Sequence, residues 1–217
     1  MLLDHDETTV DSTTSIHYPA HVETMRLLRP DCEPVTLDSW YNMNFHPGIM
    51  GFYKDILKLS PVELEEEFRI WRSYTEKIIP EFFDGIFDSL EEYKKKGGII
   101  IINSHSQKDI IEKHFKHYNK EHLVDHIFGW DHDENKRKPN KWIVDETQRL
   151  YNVSLDEILV IDDLKPGFDM AKSAGVEFAW SAWAHNIPEI RKFMEQNADH
   201  VLEKVDDFKE LILKEAP

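Results

Sequence analysis

A chain of 217 residues, 41% of them apolar, is long enough for one full hydrophobic core and a smaller appended module. Its 42 acidic side chains outnumber 26 Lys and Arg, and a net charge of −16 excludes a surface built to neutralise nucleic-acid phosphates or an anionic membrane face. The single Cys32 forms no internal disulfide, no apolar run approaches the roughly 18 residues of a membrane span, and no basic-then-apolar leader opens the chain, so a cytoplasmic location is expected, with neither nucleic acid nor membrane as partner.

The first element, Met1 to Leu3, is short and apolar and predicts a buried strand that ends in Asp4-His5-Asp6 within "MLLDHDETTVDS". Asp4, Asp6 and Glu7 lie within four positions, and like charges that close repel unless a cation sits among them. From about Ser15 to Lys96 the periodicity is helical and no strand is expected. Ser60 and Glu63 have capping-box spacing, Pro61 suits a first helical turn, and Pro80 predicts the helix end. In "DSWYNMNFHPG", Trp40, Tyr41, Phe45 and His46 suit either a substrate pocket or the core of this helical insertion, the commoner use of buried aromatics.

Beyond the insertion, strands and helices alternate. A strand over Gly98 to Ile102 ends in Asn103-Ser104-His105 and leads into a helix from Gln107 to Tyr118. Strands follow at His126 to Trp130, Ile158 to Ile161, Val176 to Trp180 and, briefly, from His200. Helices are expected over Lys141 to Tyr151, Gly167 to Ala174, Ile187 to Gln196 and Asp206 to Lys214, the second stopped by Ala174-Gly175. This alternation implies parallel βαβ units, hence an α/β fold with a doubly wound parallel sheet. Residues 1–14 and 97–217 would form that core, and residues 15–96 an inserted α-helical cap domain beside the edge where ligands bind.

In such a sheet neighbouring strand ends share one edge. Asp4 and Asp6 after the first strand, Ser104 after the second, and Asp162 and Asp163 after "ILVI" can therefore converge. Four carboxylates at one point call for a divalent hard cation such as Mg²⁺, which takes oxygen ligands and commonly a phosphate oxygen as well.

These segments resemble the haloacid dehalogenase superfamily. "LLDHDETTVDS" is similar to its first motif, Asp-x-Asp-x-Thr after an apolar strand; "GIIIINSHS" to the second, placing Ser104; "KRKPNKW" to the third, placing Lys138 because Pro139 follows it; and "LVIDDLKPGFDMAKSAG" to the fourth. All four stand in order over nearly the whole chain. The resemblance implies that Asp4 is the nucleophile and that Asp6 protonates the leaving alcohol and then activates water. It implies Mg²⁺ on Asp4, the Asp6 backbone carbonyl and Asp163, with Asp162 a direct ligand or one step behind. Ser104 and Lys138 would hold the phosphoryl group and offset its charge, with His105 beside them on the substrate side. His5 and His105 also suit plain packing or hydrogen bonding at a strand end. Ser104 or Ser106 suits a helix cap, Asp131 to Glu134 a solvated loop, and Asp169 either the orientation of Lys138 or solvent.

The implied function is a Mg²⁺-dependent phosphatase that hydrolyses a small phosphate monoester through an aspartyl-phosphate intermediate. Its partner would be a small phosphorylated metabolite, and its state monomer or homodimer. A phosphomutase or phosphotransferase is the alternative within catalysis. A low-turnover protein that binds a phosphoryl ligand is the alternative outside it, because Glu7 stands where the family pattern has Gly and adds negative charge near an anion site. A true dehalogenase fits less well, since expelling halide needs neither Asp6 as an acid nor a metal cluster.

Overall fold

The computed structural model describes residues 1–214 and 216. Strands β1 (Leu2–Leu3), β4 (Ile101–Asn103), β5 (His126–Phe128), β6 (Leu159–Asp162), β7 (Glu177–Ser181) and β8 (His200–Leu202) form one parallel sheet in the order β5-β4-β1-β6-β7-β8. Two further strands, β2 (Val10–Asp11) and β3 (Glu81–Phe82), pair with each other. Among the described residues the α-helices are α1 (Tyr18–Leu28), α2 (Leu37–Phe45), α3 (Ile49–Gly51), α4 (Pro61–Thr75), α5 (Ile86–Lys95), α6 (Lys108–His117), α7 (Trp142–Tyr151), α8 (Lys165–Ala174), α9 (Pro188–Asn197) and α10 (Val205–Lys214).

Two compact units result. The first comprises Met1–Val10 and the chain from Phe82 onward; the second is Asp11–Glu81. In the first unit the six-stranded sheet is the doubly wound parallel sheet that the alternation implies. Parallel strands with both faces covered are apolar throughout rather than alternating. Leu2, Leu3, Ile101, Ile102, Val160 and Ile161 are accordingly all buried. On one face Leu3, Ile102 and Ile161 share a core with Ile111 and Phe115 of α6 and Phe208 and Ile212 of α10. Helix α5 belongs to this core, although the periodicity alone runs the insertion on to Lys96. Its Ile86, Leu90 and Tyr93 recur at helical spacing and form a stripe in the sheet's core.

The second unit is helical and has its own core of Trp40, Phe52, Tyr53 and Leu59. Ser60 and Glu63 form the capping box expected at the start of α4, with the Ser60 N–H donating to Glu63 Oε2 at 2.8 Å. Arg29, just past α1, forms a close ion pair with the same Glu63 and ties the two helices together. Helix α4 stops at Thr75, short of Pro80, where the Lys77 N–H turns back only three residues, to the Tyr74 carbonyl at 3.1 Å, in a tighter closing turn. The short β3 was not expected. It forms where the backbone can pair with β2, and the next N–H, from Phe83, donates to the Thr9 carbonyl at 3.0 Å.

Candidate active site

Strand β1 lies between β4 and β6, with Leu3 opposite both Ile102 and Ile161. One register therefore brings Asp4, the Asn103-Ser104 turn and Asp162-Asp163 out at one edge of the sheet. One oxygen from each of Asp4, Asp162 and Asp163 lies within 4.8 Å of the other two, and all three residues are buried. Lys138 enters from the loop before α7. Its Nζ donates to Asp4 Oδ1 at 2.7 Å and to Asp162 Oδ2 at 2.5 Å, with the lysine side chain only 4% exposed.

The electrostatics follow from burial. Desolvation raises the Asp4 carboxyl well above its ordinary range; Lys138 opposes this, while Asp162, Asp163 and Asp6 add to it. Asp163 is likewise raised, by burial first and then by Asp162 and Glu7. Burial works to lower the Lys138 ammonium, but Asp162 and Asp4 outweigh it and hold the group charged above its usual range. Several buried carboxylates thus share one buried cation. The donor set is all carboxylate oxygen, which suits Mg²⁺.

Asp6 is held differently. Its Oδ2 accepts hydroxyl hydrogen bonds from Ser104 at 3.1 Å and Ser106 at 2.6 Å, and the Ser106 N–H donates to Ser104 Oγ at 2.9 Å. Neither serine caps α6. The Lys108 N–H is satisfied instead by Asp131 Oδ2 at 2.7 Å, which gives the acidic loop a capping role. Within the same loop Asp133 pairs with Lys136 at 3.0 Å.

His105 turns Nε2 to the Lys138 carbonyl at 3.1 Å, and its ring meets Trp130 edge-on at 5.5 Å. The Arg137 guanidinium lies 3.9 Å from the centre of that indole, so the segment before Lys138 is fastened on both sides. Burial, with the Lys138 charge, pushes His105 down to about 4 and keeps it neutral. His5 points into the core, with Nε2 2.9 Å from His114 Nδ1 and Nδ1 2.7 Å from Thr9 Oγ1. Asp169 pairs with Lys165 at 2.5 Å and does not orient Lys138. In the second unit Trp40 and Tyr41 are buried, Phe45 is half-buried and His46 exposed; Trp40 stacks on His21 with ring centres 4.6 Å apart.

Glu7 is buried and adopts φ +61°, a conformation that favours glycine. Its charge acts on Asp163 and also on His185, which burial nevertheless pushes down to about 4. His185 was not anticipated, and Ser106 was foreseen only as a helix cap. Ser106 had a signal, the repeated serine of "SHS", whereas His185 had none, since only the sheet brings its loop to Asp163. Gly167 matters sterically. A Cβ there would overlap the Asp162 carboxyl, so α8 can start against that side chain only with glycine.

Two comparisons bear on this arrangement. The sequence profile of the haloacid dehalogenase-like hydrolases matches residues 1–181. A predicted phosphatase from Clostridium acetobutylicum shares the fold with a TM-score of 0.76, at 16% identity over 99% of this chain and 100% of that one. A predicted phosphoglycolate phosphatase from Haemophilus somnus has a TM-score of 0.75, at 15% identity over 96% and 95%. CbbY from Rhodobacter sphaeroides, solved with xylulose 1,5-bisphosphate, has a TM-score of 0.72, at 18% identity over 94% and 92%. No curated protein matches the chain.

Proposed function

The chain belongs to the haloacid dehalogenase-like hydrolases, and from that premise we propose that it is a Mg²⁺-dependent phosphatase acting on a small phosphate monoester. The observation that carries this reading is the buried trio Asp4, Asp162 and Asp163 with Lys138 between two of its members. The phosphatase names of the structural neighbours support it.

A carboxylate oxygen of Asp4 would attack phosphorus, the P–O ester bond would break, and Asp6 would give its proton to the departing alcohol oxygen. Water would then attack the phosphorus of the aspartyl-phosphate, Asp6 taking its proton, and inorganic phosphate would leave with Asp4 restored. Ser104 and Lys138 would hold the phosphoryl oxygens. His105, with Nε2 given to the Lys138 carbonyl, would act on the substrate by fixing where that lysine stands. Mg²⁺ would be held by Asp4, Asp163 and the Asp6 carbonyl, with Asp162 directly or one step behind, and would supply positive charge to the phosphoryl oxygens. Asp11–Glu81, inserted directly after the strand and turn that carry Asp4 and Asp6, is proposed as the cap that selects the substrate.

The test is phosphate release from a panel of small phosphate esters, with and without Mg²⁺, by wild type and Asp4→Asn. Release that needs Mg²⁺ and disappears in the variant is expected. Absence of release from every ester by folded, Mg²⁺-binding protein would overturn the reading.

A further inference from the structure

Asp163 is gripped from outside the four motifs. Trp180, fully buried in β7 beside Asp162 in the sheet register, donates Nε1–H to the Asp163 carbonyl at 3.1 Å. His185, in the loop after β7, sets Nε2 3.3 Å from Asp163 Oδ2, with both side chains 3% exposed. An ionised carboxylate only accepts, so in that state Nε2 carries the proton. With Asp163 ionised, Trp180 anchors its main chain while the His185 N–H holds one carboxylate oxygen and restricts the rotation of the carboxylate.

The loop that carries His185 is itself anchored. Arg191 of α9 donates to Asn186 Oδ1 at 2.8 Å, and its guanidinium lies over the Trp180 ring at 5.2 Å. Glu195 and Glu203 each accept from that guanidinium at 2.9 Å. The support runs from α9 to a single residue, Asp163, through Trp180 at its backbone carbonyl and through the His185 loop at its carboxylate. Such partners matter because a metal-ligating carboxylate free to rotate must lose that freedom on binding.

We infer that His185 is a positioning residue for the cation, setting metal affinity by holding Asp163 in its ligating orientation. This rests on the Mg²⁺ site proposed above. The experiment is calorimetric titration of the full chain with Mg²⁺ alone, for wild type, His185→Leu, His185→Gln and His185→Asn. Gln can place an amide N–H near the position of Nε2, whereas Asn is one methylene too short.

Binding about tenfold weaker is expected for Leu and Asn, with Gln within about threefold of wild type, the scale on which partners of metal ligands act. The Mg²⁺ concentration for half-maximal ester hydrolysis should rise in parallel while KM at saturating Mg²⁺ stays constant. Should His185→Leu fail to fold, the Gln and Asn pair decides. Equal Mg²⁺ affinity in wild type and Asn, or equal losses in Gln and Asn, would overturn the inference and leave the phosphatase reading intact. Wild type that binds no Mg²⁺ would overturn that reading, and the inference with it.

Discussion

Ser106 Oγ lies 2.6 Å from Asp6 Oδ2, closer than the 3.1 Å of Ser104, the serine that the motif singles out. Once Asp6 has given its proton to the alcohol, a hydroxyl bond to the resulting carboxylate contributes about 1.5–3 kcal/mol. Ser106→Ala should therefore lower kcat about tenfold with little change in KM, because Asp6 would be the group that exchanges protons rather than one that binds ester. Steady-state kinetics on the best ester checks this. A rise in KM at constant kcat would place Ser106 on the substrate instead.

Lys138→Met removes the cation from between Asp4 and Asp162. Breaking a buried ion pair at one partner costs about 3–5 kcal/mol, because the remaining charge stays buried and uncompensated. The variant should melt well below wild type in EDTA and recover part of the difference in Mg²⁺, which offers the carboxylates another cation. Thermal melts in both conditions test it; equal melting temperatures in EDTA would mean that Lys138 does not compensate the cluster.

Gly167→Ala forces a methyl group into the Asp162 carboxyl. Overpacking of this kind costs about 1–3 kcal/mol and here falls on a proposed ligand. Weaker Mg²⁺ binding in a folded protein is expected, measured by the same titration as above. Wild-type affinity would mean that α8 can shift without moving Asp162.

In the helical unit a buried histidine and a half-buried glutamate pull pH dependence in opposite directions. Burial among aromatic rings pushes His21 down to about 4, and burial raises Glu67 to about 7, partly opposed by its hydrogen bond with Tyr53. For His21 the unfolded chain binds the extra proton between pH 4 and its ordinary 6.5, so its contribution is complete above 6.5 and lost as pH falls, by up to about 3 kcal/mol. For Glu67 the folded chain binds the extra proton between its ordinary 4.5 and 7, so its contribution is complete below 4.5 and lost as pH rises. Across pH 4.5 to 6.5 the two slopes offset each other. Relative to wild type, Glu67→Gln should gain stability as pH rises through that window and His21→Phe should lose it. Melts at half-unit pH steps decide, and parallel curves for all three proteins would refute the coupling.

The edge that gathers Asp4, Ser104 and Asp162-Asp163 was legible because each group ends an apolar run, and parallel strands put such ends together. What was not legible depends on contacts between segments far apart in sequence. Asp131 caps α6 from the far side of β5, and His185 reaches Asp163 only because β7 lies beside β6. Asp169 shows the converse. Its spacing of four from Lys165 on one helix was a local signal for the pair it forms. Pro80 misled because a helix can close on its own carbonyls before a proline is reached.

The two-residue strand β1 has a consequence for biosynthesis. Leu2 and Leu3 take their strand partners at Ile101–Ile102 and Val160–Ile161. A strand this short has no stability of its own, and long loops must close before such pairings repay their entropy. Asp4 and Asp6 are synthesised before β4 and β6 and have no fixed positions until β6 has been translated, so the proposed site joins residues made well apart in time.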